Sequence, residues 1–373
     1  MAPAPSKCQR ARDTAAGVWP AGVLVATTNR LVSTFADFYL PALLNMITVT
    51  VVNNIFPPYV GRVHFAHVRA AVLVLLGAIT LTTAALNRMA QPAAAASSAH
   101  RSVIQVVAAE NFWGNIASQL GGRYVSVTSL ITNPNADPHL FETNAANAAK
   151  LAQARVVIEN GAGYDGWMSS LLGADGGTET VVNAGDVLHV TGSDPNPHLW
   201  YDIPRVPRVA AAISAALTKA DPAGASLFRR NLSRFDTSLA PLTAVLGTIR
   251  SQFAGAPVAY TERVPGYALA VAHLSVKTPP GFARAIEDGA EPGPADTLAM
   301  QQLLTKHRIE VLLYNVQTVT PVTTQIRALA QKSGIAVVGV SETLPASAHT
   351  YQQWQLSQLT ALLRALRGAA TTS

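Results

Sequence analysis

The stretch 102-SVIQVVAAENFWGNIASQLGGRYVSVTSLI-131 decides the fold. Its first eight residues are rich in β-branched side chains. Glu110 to Leu120 then carries apolar residues at helical spacing through Phe112, Ile116 and Leu120. Gly121-Gly122 ends that helix, and 124-YVSVTSLI-131 reads as a second strand. Strand, helix and strand within about thirty residues form the unit of a parallel sheet, because parallel neighbours need a crossover and a helix supplies it.

The same alternation continues outward. A helix is expected from about Ala145 to Ala154, a strand over 155-RVVIEN-160, the loop 161-GAGYDG-166, a helix beginning near Trp167 and a short strand at Val181-Val182. Residues 205–253 hold no strongly β-like run. Within them 221-DPAGASLFRRNLSRFDTSLAPLTAVLGTIRSQF-253 opens on Asp-Pro, and Phe228, Leu232, Phe235, Leu239 and Leu242 recur at three and four. This is expected to be one long amphipathic helix able to join two lobes, with Pro241 as the place for a bend. After Pro257 the pattern restarts with strands over 257-PVAYT-261, 309-IEVLLYN-315 and 335-IAVVGV-340 and helices over 296–307, 321–332 and 351–367. The fold class is therefore α/β: an N-terminal lobe over 102–215, an inter-lobe helix over 221–253 and a C-terminal lobe over 256–373, each with a mostly parallel sheet. Ligands of such sheets sit beyond the carboxyl ends of the strands, so two facing lobes create a cleft.

Composition narrows the function. With 373 residues and 49% apolar side chains, the chain can bury one large core or two medium ones and is not generally disordered. The net charge of +6 is uneven: residues 1–102 hold eight Lys/Arg against two Asp/Glu, and residues 103–373 hold 19 of each. The folded part is near neutral, so a nucleic-acid partner has no electrostatic footprint. Cys8 is the only cysteine, which excludes an intramolecular disulfide and a thiolate metal site. Residues 62–99 read as an export signal and linker: Arg62 and Arg69 precede the weakly polar run 70–86, and small residues follow at 93–99. An uncleaved membrane tether is the alternative. Upstream, residues 1–61 contain a second apolar region, 39-YLPALLNMITVTVVNNIFPPYV-60, and read either as a real extension or as the product of a start assigned too early.

Four polar residues share a place at the ends of expected strands. His139 lies in 133-NPNADPHLFET-143 after the strand ending at Ile131, and His198 lies in the near echo 194-DPNPHLWYD-202. Glu262 follows the strand 257–261 directly, and Glu342 follows 335–340 after one serine. Each can coordinate a divalent ion, and two carboxylates offer charge −2 against +2. A lone histidine in a Pro/Asn loop is more often a turn residue than a ligand, and either glutamate alone is more often solvated. The repeated Pro-His-Leu is what sets these two histidines apart. His189, His307 and His349 read as surface residues, and His273 as a packing residue of an apolar helix. No G-x-x-x-x-G-K-S/T nucleotide motif and no nucleophile–base arrangement occurs.

On 133-NPNADPHLFET-143, 155-RVVIENGAGYDGW-167 and 194-DPNPHLWYD-202, the chain from about 102 to 370 resembles the metal-binding receptors of zinc and manganese ABC importers, two-lobed solute-binding proteins with a rigid inter-lobe helix. The resemblance implies capture of one Zn2+ or Mn2+ per chain in the inter-lobe cleft, outside the cytoplasm, by a monomer. It implies delivery to an ABC permease in the membrane with its cytoplasmic ATPase. It places His139 and His198 as the first two ligands, Glu262 at a position where zinc receptors usually have His and manganese receptors Glu, and Glu342, within 341-SET-343, at the fourth, commonly Asp. A metallohydrolase with Glu262 as base, or an extracytoplasmic metal chaperone or adhesion protein, is the alternative. Zinc and manganese both stay open.

Overall fold

The computed structural model describes residues 102–372 apart from 136, 176 and 178. The expected extension over 1–61 and signal over 62–99 lie outside the described residues. The chain runs β1 (Ile104–Glu110), α1 (Asn111–Gly121), β2 (Val125–Ile131), α2 (Ala145–Leu151), β3 (Val156–Glu159), α3 (Gly166–Asp175), β4 (Thr180–Asn183), α4 (Ala184–Val187) and α5 (Val206–Ala220). Two helices follow, α6 (Ala225–Ser238) and α7 (Ala240–Phe253). The second half comprises β5 (Pro257–Tyr260), α8 (Gly266–Val271), β6 (Ser275–Val276), α9 (Pro280–Glu287), α10 (Pro294–Thr305), β7 (Val311–Asn315), α11 (Pro321–Lys332), β8 (Ala336–Val340) and α12 (Tyr351–Thr372).

Each lobe holds a four-stranded sheet, ordered β2-β1-β3-β4 in the first and β6-β5-β7-β8 in the second, with every pairing parallel. The two orders are equivalent. Both sheets reverse direction of growth between their first strand and their third, which opens a crevice at the carboxyl end of the strands. Alternate residues explain why the strands are apolar throughout: Val106 and Ala108 face one core, while Val107 and Ala109 face another with Leu151, Val157 and Met168. In β7, Val311 and Leu313 likewise face away from Leu312. Parallel sheets covered on both faces require this.

One core runs through both lobes. Phe112, Trp113 and Trp200 of the first belong to the same apolar cluster as Tyr351, Trp354 and Leu359 of the second. Phe112 stacks on Trp200 at 4.0 Å between ring centroids. Across the junction Trp354 meets Phe112 at 6.3 Å and Tyr201 at 6.1 Å, and a fully buried ring stabilises by roughly 1.5–3 kcal/mol. A polar seam runs beside them. Asn111, Asn115 and Gln119 recur every fourth residue and so share one face of α1. Asn111 donates to Leu344 O and accepts from Leu344 N–H, Asn115 does the same for His349 O and Tyr351 N–H, and Gln119 pairs with Gln352.

The connection between lobes differs from the single helix expected over 221–253. Pro222–Gly224 forms a 3-10 turn, α6 begins at Ala225, and the helix is interrupted at Leu239. Pro241 lacks the N–H that would reach Thr237 O, and its ring crowds that carbonyl. α6 packs on α1 and α5, whereas α7 packs on α12, so the interruption falls between the half attached to the first lobe and the half attached to the second. Two further differences are local. β6 has two residues and no periodic signal, and His273 is an exposed residue at φ 57 just past α8, not a packing residue.

Candidate metal centre

The four strand-end residues meet. His139 Nε2 lies 3.1 Å from Glu262 Oε1 and 3.2 Å from Glu342 Oε2, and His198 Nε2 lies 3.4 Å from Glu342 Oε2. One candidate ligand atom from each of the four side chains falls within 4.8 Å of all the others. His198, Glu262 and Glu342 are fully enclosed, while His139 keeps 17% of its side-chain exposure and marks the side that faces solvent. Among the described residues no other group of three or more His, Cys, Asp or Glu is so placed.

Each side chain is aimed by local chemistry. His139 sits in the 3-10 turn Pro138–Leu140, whose proline presets φ and whose first N–H groups are free; Asp137 Oδ1 accepts the His139 N–H at 2.9 Å. His198 is clamped by Asn196, whose Oδ1 accepts the His198 N–H at 3.1 Å and lies 2.7 Å from ring Nδ1. Nδ1 therefore carries the proton and Nε2 faces the cluster as an acceptor. Asn196 also donates from Nδ2 to Arg263 O at 2.9 Å, which ties this loop to the residue following Glu262. At the end of β3, Asn160 donates to Pro197 O at 2.8 Å and holds the same loop from the other side. Gln317 Oε1 accepts from the backbone N–H of Glu342 at 2.6 Å and of Thr343 at 2.9 Å.

Two residues that sequence reasoning missed complete the cluster. Tyr164 donates its hydroxyl to Glu342 Oε2 at 2.8 Å and sets its ring edge against His139. It is delivered by 161-GAG-163, three consecutive residues at φ 67, 53 and 86. A Cβ at Gly161 would run into the Asn183 side chain, so glycine is required there for space as well as for conformation. Asn315, the last residue of β7, donates from Nδ2 to Glu262 Oε2 at 2.5 Å and to Glu342 Oε1 at 2.7 Å. Both residues stand in segments whose secondary structure is legible; a polar residue closing an apolar strand, as in 309-IEVLLYN-315, is the signal that points to Asn315.

The electrostatics are those of a cation site. Burial and the neighbouring Glu342 hold the Glu262 carboxyl above its usual range. Burial acts on Glu342 in the same sense, but the adjacent imidazoles, His139 first and then His198, outweigh it and hold this carboxyl below the usual range. Burial would lower the pKa of His139, yet Glu262 and Glu342 outweigh it and push the imidazole up to about 11. Burial and Glu342 keep the Tyr164 hydroxyl protonated, hence a donor. Three buried polar atoms of the cluster, His139 Nε2, His198 Nε2 and Glu262 Oε1, face charged neighbours without a hydrogen bond of good geometry. Such atoms are costly unless something else satisfies them. An ion with bonds of 2.0–2.1 Å in a tetrahedron separates neighbouring ligand atoms by about 3.3 Å; three of the six pairs have that spacing, and the whole set lies within 4.8 Å. The donor set and its spacing fit one divalent ion such as Zn2+ or Mn2+.

Two parallel α/β lobes with a buried His/Glu cluster at their junction define a two-lobed binding protein with an inter-lobe cation site. The family model for the zinc-uptake complex component A periplasmic proteins, ZnuA, matches residues 106–365, and the chain belongs to that family. A manganese-binding lipoprotein, MntA, of Bacillus subtilis strain 168 is 28% identical over 172 residues, covering 44% of this chain and 55% of the relative. The chain thus spans about half the length of the curated relatives it matches. The periplasmic zinc binding protein TroA from Treponema pallidum has the same fold, with a TM-score of 0.62 at 18% identity over 70% of this chain and 99% of that one. FpvC from Pseudomonas aeruginosa, solved in complex with Mn2+, gives 0.60 at 21% identity over 71% and 99%.

Proposed function

We propose that this protein captures one divalent transition-metal ion, zinc or manganese, per chain outside the cytoplasm and delivers it to an ABC permease with its cytoplasmic ATPase. His139, His198, Glu262 and Glu342 hold the ion. The observation that carries this reading is the convergence of two imidazoles and two carboxylates, one ligand atom of each within 4.8 Å of all the others, at one point between the lobes. The matched relatives supply independent support, since their names place zinc in one and manganese in another.

The chemistry follows from the donors. Two carboxylates shut away from water are unfavourable by themselves, and a divalent charge compensates them. Without an ion, a proton on His139 does part of that task. With one, the proton leaves and both imidazoles donate nitrogen lone pairs. Because both imidazoles come from the first lobe and both carboxylates from the second, the ion bridges the lobes, and release requires that the ligand set be pulled apart. Among the described residues no helix is long and apolar enough to cross a membrane. The reading as a metallohydrolase needs a metal position left open for water, and four convergent protein donors leave little room for it.

Elemental analysis of the chain purified from its native compartment, followed by competitive titration with Zn2+ and Mn2+, tests the proposal. One ion per chain is expected, with binding strongly reduced in His139→Ala and in His198→Ala while circular dichroism stays unchanged. Undiminished one-to-one affinity in His139→Ala would remove the assigned site.

A further inference from the structure

We infer that Asn315 determines ion specificity by taking up one oxygen of each site carboxylate, so that Glu262 and Glu342 offer one coordinating oxygen apiece and the centre favours a four-coordinate ion of the zinc type. This rests on the reading of His139, His198, Glu262 and Glu342 as the ion's ligands.

The Asn315 amide has no freedom to do otherwise. The residue is 1% exposed, its backbone N–H donates to Thr261 Oγ1 at 3.0 Å, and its Oδ1 accepts the Gln317 N–H at 3.0 Å. With the oxygen committed to a donor, Nδ2 must face the carboxylates. It meets Glu262 Oε2 at 2.5 Å, Glu342 Oε1 at 2.7 Å and Thr318 Oγ1 at 2.9 Å. Two amide protons serve these acceptors, and the charged oxygens take the shorter bonds.

The remaining oxygens define what an ion can reach. Glu262 Oε1 has no hydrogen-bond partner and faces His139 Nε2. Glu342 Oε2 faces both imidazoles and accepts the Tyr164 hydroxyl. The set is two nitrogens and two oxygens. A zinc ion is satisfied by four such donors, whereas manganese is suited by more oxygen ligands in a higher-coordinate shell. Raising the number here means turning a carboxylate so that both of its oxygens reach the ion. That turn breaks a charge-assisted bond to Asn315 and leaves its amide proton the weaker, uncharged Thr318 hydroxyl as acceptor. Glutamate at both carboxylate positions does not by itself make a manganese site: the amide between them limits how many oxygens they present.

The test compares the full wild-type chain with Asn315→Ala and Asn315→Ser. Each is freed of metal, then titrated with Zn2+ and Mn2+ against a chelator and with Co2+ followed by visible absorption. Wild type is expected to bind Co2+ with the intense bands of a four-coordinate ion and to prefer zinc. In the variants zinc affinity is expected to fall by about 10–100-fold, with manganese affinity changing about threefold or less. The cobalt bands should weaken in parallel as further ligands enter. Equal loss for both ions with unchanged cobalt bands would show that Asn315 only braces the loops and would overturn the inference alone. Weak six-coordinate bands in wild type would do the same. Failure of wild type to bind any of the three ions would overturn the proposed function as well. If the variants fail to fold, X-ray absorption of the wild-type zinc form decides: a carboxylate carbon at the short distance of bidentate binding refutes the inference, and its absence supports it.

Discussion

Metal affinity should keep rising with pH well above neutrality. In the ion-free chain, His139 Nε2 sits 3.1 Å from one carboxylate oxygen and 3.2 Å from another. Burial works against a charged ring there, but the two carboxylates prevail and push its pKa up to about 11. The ring is therefore protonated throughout pH 7–9 and must lose that proton to coordinate. One proton displaced per ion changes the affinity tenfold per pH unit, about 1.4 kcal/mol, so pH 9 to pH 7 weakens binding about a hundredfold. A histidine with an ordinary pKa near 6.5 would give a flat profile above about pH 7.5. The assay is competitive titration at several pH values with a chelator of known protonation, joined to calorimetry at pH 8 in two buffers of different ionisation enthalpy. About one proton released per ion is expected. A flat affinity from pH 7.5 to 9 with no proton release would refute the reasoning. The same proton stabilises the ion-free fold, because the folded chain holds it more tightly than the unfolded chain. That stabilisation is complete below about pH 6.5 and is lost as pH rises toward 11, so the ion-free melting temperature should fall from pH 7 to 9 by a step that His139→Ala lacks.

Other expectations concern the supports of the site. Asn196→Ala removes the acceptor that orients His198 and the bond to Arg263 O, and metal affinity should fall about 10–100-fold with the fold retained; unchanged affinity would mean that packing alone aims the ring. Glu110 is wholly buried, and burial, then Asp165 beside it, hold its carboxyl well above the usual range, while Asp165 is itself raised to about 6, mainly by burial. Raised carboxyl pKa values cost stability at high pH and cease to do so as pH falls below them, so Glu110→Gln should melt no lower than wild type at pH 8, with any advantage shrinking toward pH 5; a lower melting temperature at pH 8 would contradict this. Phe112→Ala empties the stack on Trp200 and should cost about 3–5 kcal/mol by chemical denaturation; a loss under about 1 kcal/mol would show that the junction between lobes closes over the gap.

The sequence made the sheets and the four clustered candidate residues legible for one reason: both are written in local pattern. Apolar runs bounded by glycine mark β1, β3, β7 and β8, and the doubled Pro-His-Leu marks the two histidines. Glu262 and Glu342 were reachable because each stands at or just past a strand end. What stayed hidden depends on distant chain segments lying side by side. Asn315 meets Glu262 and Glu342 only because β5, β7 and β8 are neighbours in register, with Tyr260 opposite Leu313 and Asn315 opposite Val340. Tyr164 reaches Glu342 across the junction from 178 positions away. The break at Leu239 was foreshadowed by Pro241, but its place between the two packed halves is a property of α1 and α12. His273 misled because an apolar neighbourhood in sequence does not reveal a left-handed residue at a helix end.

The cluster draws its side chains from positions 139, 198, 262 and 342, so none of it exists in a nascent or half-folded chain. By mass action an ion that binds only the assembled form stabilises that form, by about 2.7 kcal/mol at a free concentration one hundred times the dissociation constant. A loaded receptor would then open less often and resist proteases that cut the opened state, whereas an empty one in a metal-poor surrounding would be cleared sooner. If the chain serves as the proposed receptor, its amount outside the cytoplasm would itself become a record of how much metal had been met there.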